Sequence, residues 1–453
     1  MKYLSYLAIT VLAGLLRIIN LAHPNHLVFD ETYYAKDAWA YINTGLERVW
    51  PEDPNAQFVT GEVDIYLDQA SIVAHPPLGK LLIGIGMKIF GPNSFGWRIM
   101  PALFGTALVF ILMLLIDHLL HSPILASLGG LYLSVDGLAL VMSRTALLDI
   151  FLTFFILVAV LLYLKKHYIW MFIVFGLAMS IKWSALWFII GFCVLLFFQL
   201  NHRFDSNLFQ IEGLKPQIVM SRLNRPFRNW YESLVFSISG FLTSISVYSL
   251  SWWTWFSIPD APNKPVGGNF INNVLALINY HIERLNFHIE LESNHSYATS
   301  ALGWPLQIRP TYFFYEQNPL SEFTQSITSL GNPLLWWTMT VAMIFVFIKF
   351  MLQPSYSTMI MGVGLICGWF PWIFIPSRTQ FTFYAILIEP FFILGLMIAI
   401  SSLARTRYLP TVIITTVLII TIIGLTFYFW PIWTGQIITH DYLYDHFWIP
   451  SWI

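Results

Sequence analysis

The sequence predicts an all-α polytopic membrane protein, and three observations carry that reading. Of 453 residues, 57% are hydrophobic and only 10% are charged, whereas a soluble chain carries about a quarter charged residues. Apolar runs recur from end to end, and many reach the ~20 residues that a helix needs to cross a bilayer. Two long stretches, 23–96 and 255–332, interrupt them and are rich in aromatic residues and prolines. The composition excludes an ordinary soluble enzyme. The net charge of -1 says nothing about partners. Cys193 and Cys367 both lie inside apolar runs and read as core thiols without a disulfide.

Apolar windows place spans near 3–22, 97–116, 122–141, 147–164, 168–181, 183–200, 232–254, 333–353, 356–376, 379–400 and 408–430. The first reads as an uncleaved span, because it holds Arg17 and lacks a small-residue cleavage site. With the amino terminus cytoplasmic, Lys165, Lys166, Lys215, Arg222, Arg225, Arg228, Arg405 and Arg407 fall on the inner side, as the positive-inside rule expects. The basic segment 201–231 is then a cytoplasmic loop. Loops 23–96 and 255–332 face outward together, and the whole chain, 1–453, reads as a single membrane domain.

Unstructured loops longer than ~15 residues are uncommon, so the outer loops should be ordered. Tyr34, Ala38, Tyr41 and Ile42 fall at helical spacing and predict an amphipathic surface helix over about 31–45. Leu78 to Phe90 predicts a second, behind the turn that His75-Pro76-Pro77 enforces.

The charged residues near the outer boundary are the candidate site. Asp30 and Glu31 follow the first span at once; at a helix start, Asp30 also suits an N-cap and Glu31 the helix dipole. Arg98 opens the second span, where a snorkelling anchor is the alternative. Asp136, Arg144 and Asp149 sit at or just inside the outer ends of the third and fourth spans. Each charge costs ~2.5–3.5 kcal/mol at a helix centre, so an Arg144–Asp149 ion pair competes there with a site role. Lys182 and Arg378 reach the same boundary. Four cations beside several acids suit a lipid-linked phosphate, which arginine forks and a lysine point charge both match. His281, His288 and His295 are seven apart, so neighbours stand ~10 Å apart along a helix, too far to share one metal ion. No metal site is expected.

Taken in order, "FDETYYAKDAW", "HPPLGKLLIGIG", "FGWR", "DGLALVMSRTALLD", "IKWSALW", "HSYATSALGWPLQIRP", "GNPLLWW", "FTFY" and "WIPSWI" resemble the protein O-mannosyltransferases that use polyprenyl-phosphate mannose. The resemblance runs from about residue 17 to Ile453. It implies the glycosyltransferase C-type fold, here a bundle of about eleven transmembrane helices with surface helices in two outer loops. It is similar to a bacterial member, since the soluble domain that eukaryotic relatives insert in the second loop is missing.

The resemblance also implies roles. Asp30 is the expected catalytic base, Glu31 a support for the site or the acceptor, and Asp149 the second acid of the fold. Arg98 is expected to hold the first loop or the carrier phosphate, with Arg144, Lys182 and Arg378 as further donor-phosphate or supporting residues. His75, His288, His295 and Tyr297 are expected to support the acceptor or the loops. The implied reaction is inverting transfer of mannose to Ser/Thr hydroxyls of secreted or membrane polypeptides, at the outer face of the bacterial plasma membrane. The donor is a substrate and no cofactor is expected; nucleic acid has no place in it. The alternatives are another sugar or a lipid or glycan acceptor on the same fold, or a transporter. Transporters show broken helices at paired midplane positions, while the charges here gather at one face.

Overall fold

Helix starts are written into the chain by polar caps placed at the ends of apolar runs. Asn93, Ser122, Asn332 and Ser355 each accept a bond from a backbone amide three residues on, and Pro123 and Pro333 occupy the first turn behind their caps. The computed structural model describes residues 2–72, 74–200, 230–290, 295–317 and 320–453. Nearly all of the basic loop 201–231 lies outside those residues.

The helices are α1 (Lys2–Ile18), α2 (Glu31–Thr44), α3 (Asn55–Thr60), α4 (Leu78–Phe90), α5 (Ser94–Leu120), α6 (Pro123–Val135), α7 (Gly137–Arg144), α8 (Asp149–Leu164), α9 (Tyr168–Met179) and α10 (Ala185–Leu200). There follow α11 (Trp230–Leu250), α12 (Trp253–Ser257), α13 (Phe270–Ile289), α14 (Pro333–Leu352), α15 (Tyr356–Gly368), α16 (Phe370–Ile373), α17 (Glu389–Thr406), α18 (Tyr408–Thr434) and α19 (His440–Asp445). Helix α5 is the hub, packed against α1, α4, α6, α7 and α8. One continuous cluster of buried apolar side chains runs from Tyr6 to Trp452.

Every expected span window holds helix. Among the described residues, five helices are long and apolar enough to cross a membrane, or six if α6 and α7 form one bent span. The third window is not one straight helix: the chain bends by 60° between α6 and α7. Asp136 sits at the break, where its carboxylate accepts from Leu138 N at 2.9 Å, Ala139 N at 3.3 Å and Asn332 N at 2.7 Å. An acid inside an apolar run is thus the cap for amides that the break exposes. Gly137 beside it has no alternative, since a Cβ there would meet Trp433 at 2.0 Å and the Leu330 carbonyl at 2.3 Å. The window 379–400 also starts late: Thr382–Leu387 is a 3-10 turn, and α17 begins only at Glu389.

The two long loops pack on each other at one end of the bundle. Arg48 pairs with Asp260 at 2.7 Å, Tyr41 Oη meets Thr254 Oγ1 at 2.8 Å, and His288 Nε2 meets the Ala74 carbonyl at 2.6 Å. The expected surface helices are α2 and α4, which pack against each other rather than lying singly on a surface. The second loop contributes what periodicity did not announce, two strands of a three-stranded antiparallel sheet. Strand β1 (Tyr312–Gln317) pairs with β2 (Phe323–Thr328), which pairs with β3 (Ile437–Thr439) from beyond α18.

Candidate active site

Two adjacent carboxylates do different things. Glu31 is fully buried and its oxygens accept from Val28 N (3.0 Å), Ala146 N (2.9 Å), Trp97 Nε1 (3.3 Å), Arg98 Nε (2.9 Å) and Arg98 Nη2 (2.8 Å). Arg98 also donates to the carbonyls of Leu21 (3.3 Å), Pro24 (2.8 Å) and His26 (2.8 Å). The pair is a clamp that ties the first loop to the start of α5 and to the α7–α8 connection. Arg98 thus takes the first of its two expected roles, holding the first loop, and Glu31 supports that loop. With every oxygen and guanidinium nitrogen engaged, Glu31 cannot serve as a proton acceptor and Arg98 has no donor left for a phosphate.

Asp30, one residue earlier, flanks α2 but makes no side-chain cap bond. Its carboxyl is pushed up to about 6, first by burial among protein groups and then by the nearby charge of Asp149; Lys182 and a hydrogen bond from Tyr34 oppose the rise. Asp149, the first residue of α8, takes both hydrogen bonds of the Lys182 ammonium, at 2.9 and 2.8 Å. The competing Arg144–Asp149 pair is not formed. Arg144 spends its guanidinium on the carbonyls of Leu16, Arg17, Ile19 and Asn20 at 2.9–3.1 Å, finishing the end of α1. It is 6% exposed and is not among the residues that line the cavity below.

Asp149 and Lys182 open into a cavity of about 1750 Å³. Its polar end is completed by His75, Arg378, His288 and Tyr384. The Lys182 ammonium lies 5.6 Å from the Tyr384 ring, and Arg378 lies over Trp372 at 5.0 Å with its Nε lacking a hydrogen-bond partner. From there an apolar groove runs between α11 and α13, lined by Leu242, Ile245, Trp253, Leu277, Ile282 and Leu285 among others. Helix α13 roofs it and is held by rings. His288 stacks on His75 at 5.2 Å and meets Trp183 edge-on at 5.7 Å. Trp183 donates to Tyr248 Oη at 2.9 Å, which meets His281 Nε2 at 2.6 Å. Burial lowers the basicity of His75 and His288, and Lys182 and Arg378 reinforce the effect in both. Both rings are therefore neutral near pH 7.

Beneath α2, the Lys80 ammonium is buried between Glu47 (2.6 Å) and Asp37 (3.4 Å) and lies 6.0 Å from the Tyr34 ring. Burial alone would weaken its charge, but the two carboxylates outweigh it and raise its pKa. This network fixes Tyr34, the hydrogen-bond partner of Asp30. His295 and Tyr297 stand elsewhere: His295 packs on Phe381 at 5.0 Å, and Tyr297 stacks on Tyr312 at 5.3 Å beneath Arg309. Among the described residues, no three His, Cys, Asp or Glu side chains are grouped to hold a metal ion.

Of the residues singled out in the sequence, the structure brings Asp149, Lys182, Arg378, His75 and His288 to one cavity, with Asp30 in the field of Asp149 and Lys182. Sequence reasoning did not single out Tyr34, Lys80, Trp183 or Tyr384 as site residues, although each sits inside a quoted motif. The available signal was a lysine, Lys80, in the first turn of a helix whose only other charge is Lys88 near its end.

Residues 74–220 match the family model described as dolichyl-phosphate-mannose-protein mannosyltransferase. A polyprenol-phosphate-mannose–protein mannosyltransferase of Mycobacterium tuberculosis is 25% identical over 98% of this chain and 90% of its own. Its counterpart in Corynebacterium glutamicum is 26% identical over 94% and 88%. In three dimensions the chain is similar to the protein O-mannosyltransferase Pmt1-Pmt2 complex of S. cerevisiae bound to the sugar donor. The TM-score is 0.77 at 13% identity, covering 100% of this chain and 92% of that one, a likeness of fold.

Proposed function

We infer that this chain, a member of the protein O-mannosyltransferase family, transfers mannose from a polyprenyl-phosphate-mannose donor to Ser and Thr hydroxyls of polypeptides. We place the reaction at the outer face of a bacterial plasma membrane, with about eleven helices crossing it. The observation that carries the reading is Asp30. Its carboxyl makes no cap bond, is pushed up to about 6, and stands in the field of Lys182 and Asp149, which line the polar end of a lipid-sized groove.

The chemistry follows from the groups present. The acceptor hydroxyl attacks the anomeric carbon from the face opposite the phosphate, and Asp30 takes the hydroxyl proton. The carbon–oxygen bond to the phosphate breaks with its electron pair, so polyprenyl phosphate leaves and the anomeric centre is inverted. Lys182 and Arg378 stabilise the charge that grows on the departing phosphate. Asp149 holds Lys182 in position and, through its charge, keeps Asp30 basic. Neutral His75 and His288 offer hydrogen bonds without adding a competing charge. The reading calls for no cofactor, because the lipid-linked sugar is already activated.

The test is transfer from polyprenyl-phosphate mannose to a Ser/Thr-rich peptide by wild type and Asp30→Asn. Transfer by the wild type, abolished in a folded variant that still binds the donor, supports the reading. Equal transfer by both moves the base to another residue, with Asp149 first in line.

A further inference from the structure

We propose that the open edge of β1 is the docking line of the acceptor polypeptide, which adds to the sheet as an extended fourth strand and so presents one hydroxyl to Asp30. The inference rests on the mannosyl-transfer reading and extends it to how the acceptor is held.

The sheet order is β1-β2-β3, so β1 has a neighbour on one side only. Among the described residues, no backbone hydrogen bond reaches Phe313–Gln317 from any other segment. The strand reads Tyr-Phe-Phe-Tyr-Glu-Gln and carries no Lys or Pro; its one charge, Glu316, is the only edge-blunting side chain on it. Its one irregularity lies at the start, between Tyr312 and Phe314, and the pairing from Phe314 to Gln317 is continuous. Tyr315, Glu316 and Gln317 are all exposed.

The edge is coupled to the base by rings. Phe29, the residue before Asp30, stacks on Phe313 with centroids 4.6 Å apart and planes 3° apart. Phe383 meets both of them edge-on at 5.4 Å. Phe29 has φ +47°, a conformation that bulky residues rarely adopt. The stack holds it there, and the turn it makes sets the direction in which Asp30 leaves the loop. On the neighbouring position His26 packs on Phe314 at 5.6 Å and its Nε2 lies 3.9 Å from the Glu316 carboxylate, so the segment that delivers Asp30 touches the strand through side chains and leaves the backbone groups of its open edge unpaired.

An unpaired strand edge offers alternating N–H and C=O groups, and an extended polypeptide is the ligand whose own groups match that spacing. Every second side chain of such a guest points the same way, which lets a hydroxyl enter the site while its neighbours point out. Recognition through the main chain also leaves the acceptor sequence free apart from the hydroxyl.

The experiment uses the full-length protein and a Ser/Thr peptide that the wild type mannosylates. A series carries one N-methylated amide at successive positions, and kcat/KM is read for each member. Strand addition gives an alternating pattern, with losses of about tenfold or more at every second amide and little change between. Equal losses at all amides, or losses confined to the residues touching the hydroxyl, overturn the inference. In a second arm, Gln317→Cys is cross-linked to a cysteine-bearing acceptor. An adduct that unmodified peptide displaces supports docking. A link between two Gln317→Cys chains that peptide leaves untouched shows a second copy on the edge and overturns it. Absence of transfer to the parent peptide is a separate result, and it removes the mannosyl reading itself.

Discussion

Asp30 and Glu31 share a peptide bond but belong to regions built on opposite rules. On the Glu31 side, five donors converge on one carboxylate and Arg98 closes three carbonyls of the loop. Everything polar is buried and satisfied, so the region is rigid and has no capacity left for a substrate. On the Asp30 side, the carboxyl makes no cap bond, the Lys182 ammonium spends its two hydrogen bonds on one carboxylate at a cavity wall, and the Arg378 Nε has no partner. The contrast teaches where to look for chemistry in a membrane bundle. Charge alone marks both regions; spare hydrogen-bonding capacity marks only the second.

The comparison can be broken from either side. The largest effect is expected from Glu31→Ala, which strands a buried Arg98 and should cost about 3–5 kcal/mol of stability. Thermal unfolding in detergent should show a large fall in Tm, with donor binding and transfer lost together. Asp30→Asn should instead lower transfer by about 10²–10⁴-fold with donor binding kept. Its stability should move the other way. The folded carboxyl sits at about 6, above its ordinary value, so the folded state binds more protons and stability falls as pH rises through that window. Above pH 6 the Asn variant should unfold at the same or a higher temperature than wild type.

Arg378→Ala should weaken polyprenyl-phosphate binding by about 10–100-fold, the worth of one charged hydrogen bond, and Arg378→Lys should recover part of it. Unchanged affinity in an equilibrium binding assay would remove Arg378 from the phosphate site. The smallest effect sharpens the electrostatics. Transfer should fall as pH drops below about 6, where Asp30 takes up its proton. Asp149→Asn removes a charge that raises Asp30 and releases Lys182 to lower it, so the acid limb should shift to lower pH. A shift upward in the pH–rate profile would contradict the arrangement.

Much of the helical layer was legible because apolar periodicity is a local property. Each span window holds helix, and Leu78–Phe90 ends where the sequence indicated. The sheet was not legible, since β3 joins β2 from more than a hundred residues away and pairing of distant segments leaves no local period. The bend at Asp136 was half-legible: the acid was visible, but the amides it caps exist only once the helix breaks.

Local composition and periodicity were enough to show a helical membrane protein with two ordered loops, and the ordered motifs carried its resemblance to the protein O-mannosyltransferases. The sequence also determined which residue types gather near the loop-bearing end, because charges in apolar runs are costly and therefore conspicuous. Tertiary structure decided their partners. It gave Lys182 rather than Arg144 to Asp149, spent Arg98 and Arg144 on carbonyls, and left Arg378 facing the cavity. The reason is that a cation's availability depends on which acceptors folding brings within about 3 Å, and those acceptors come from segments far apart in the chain.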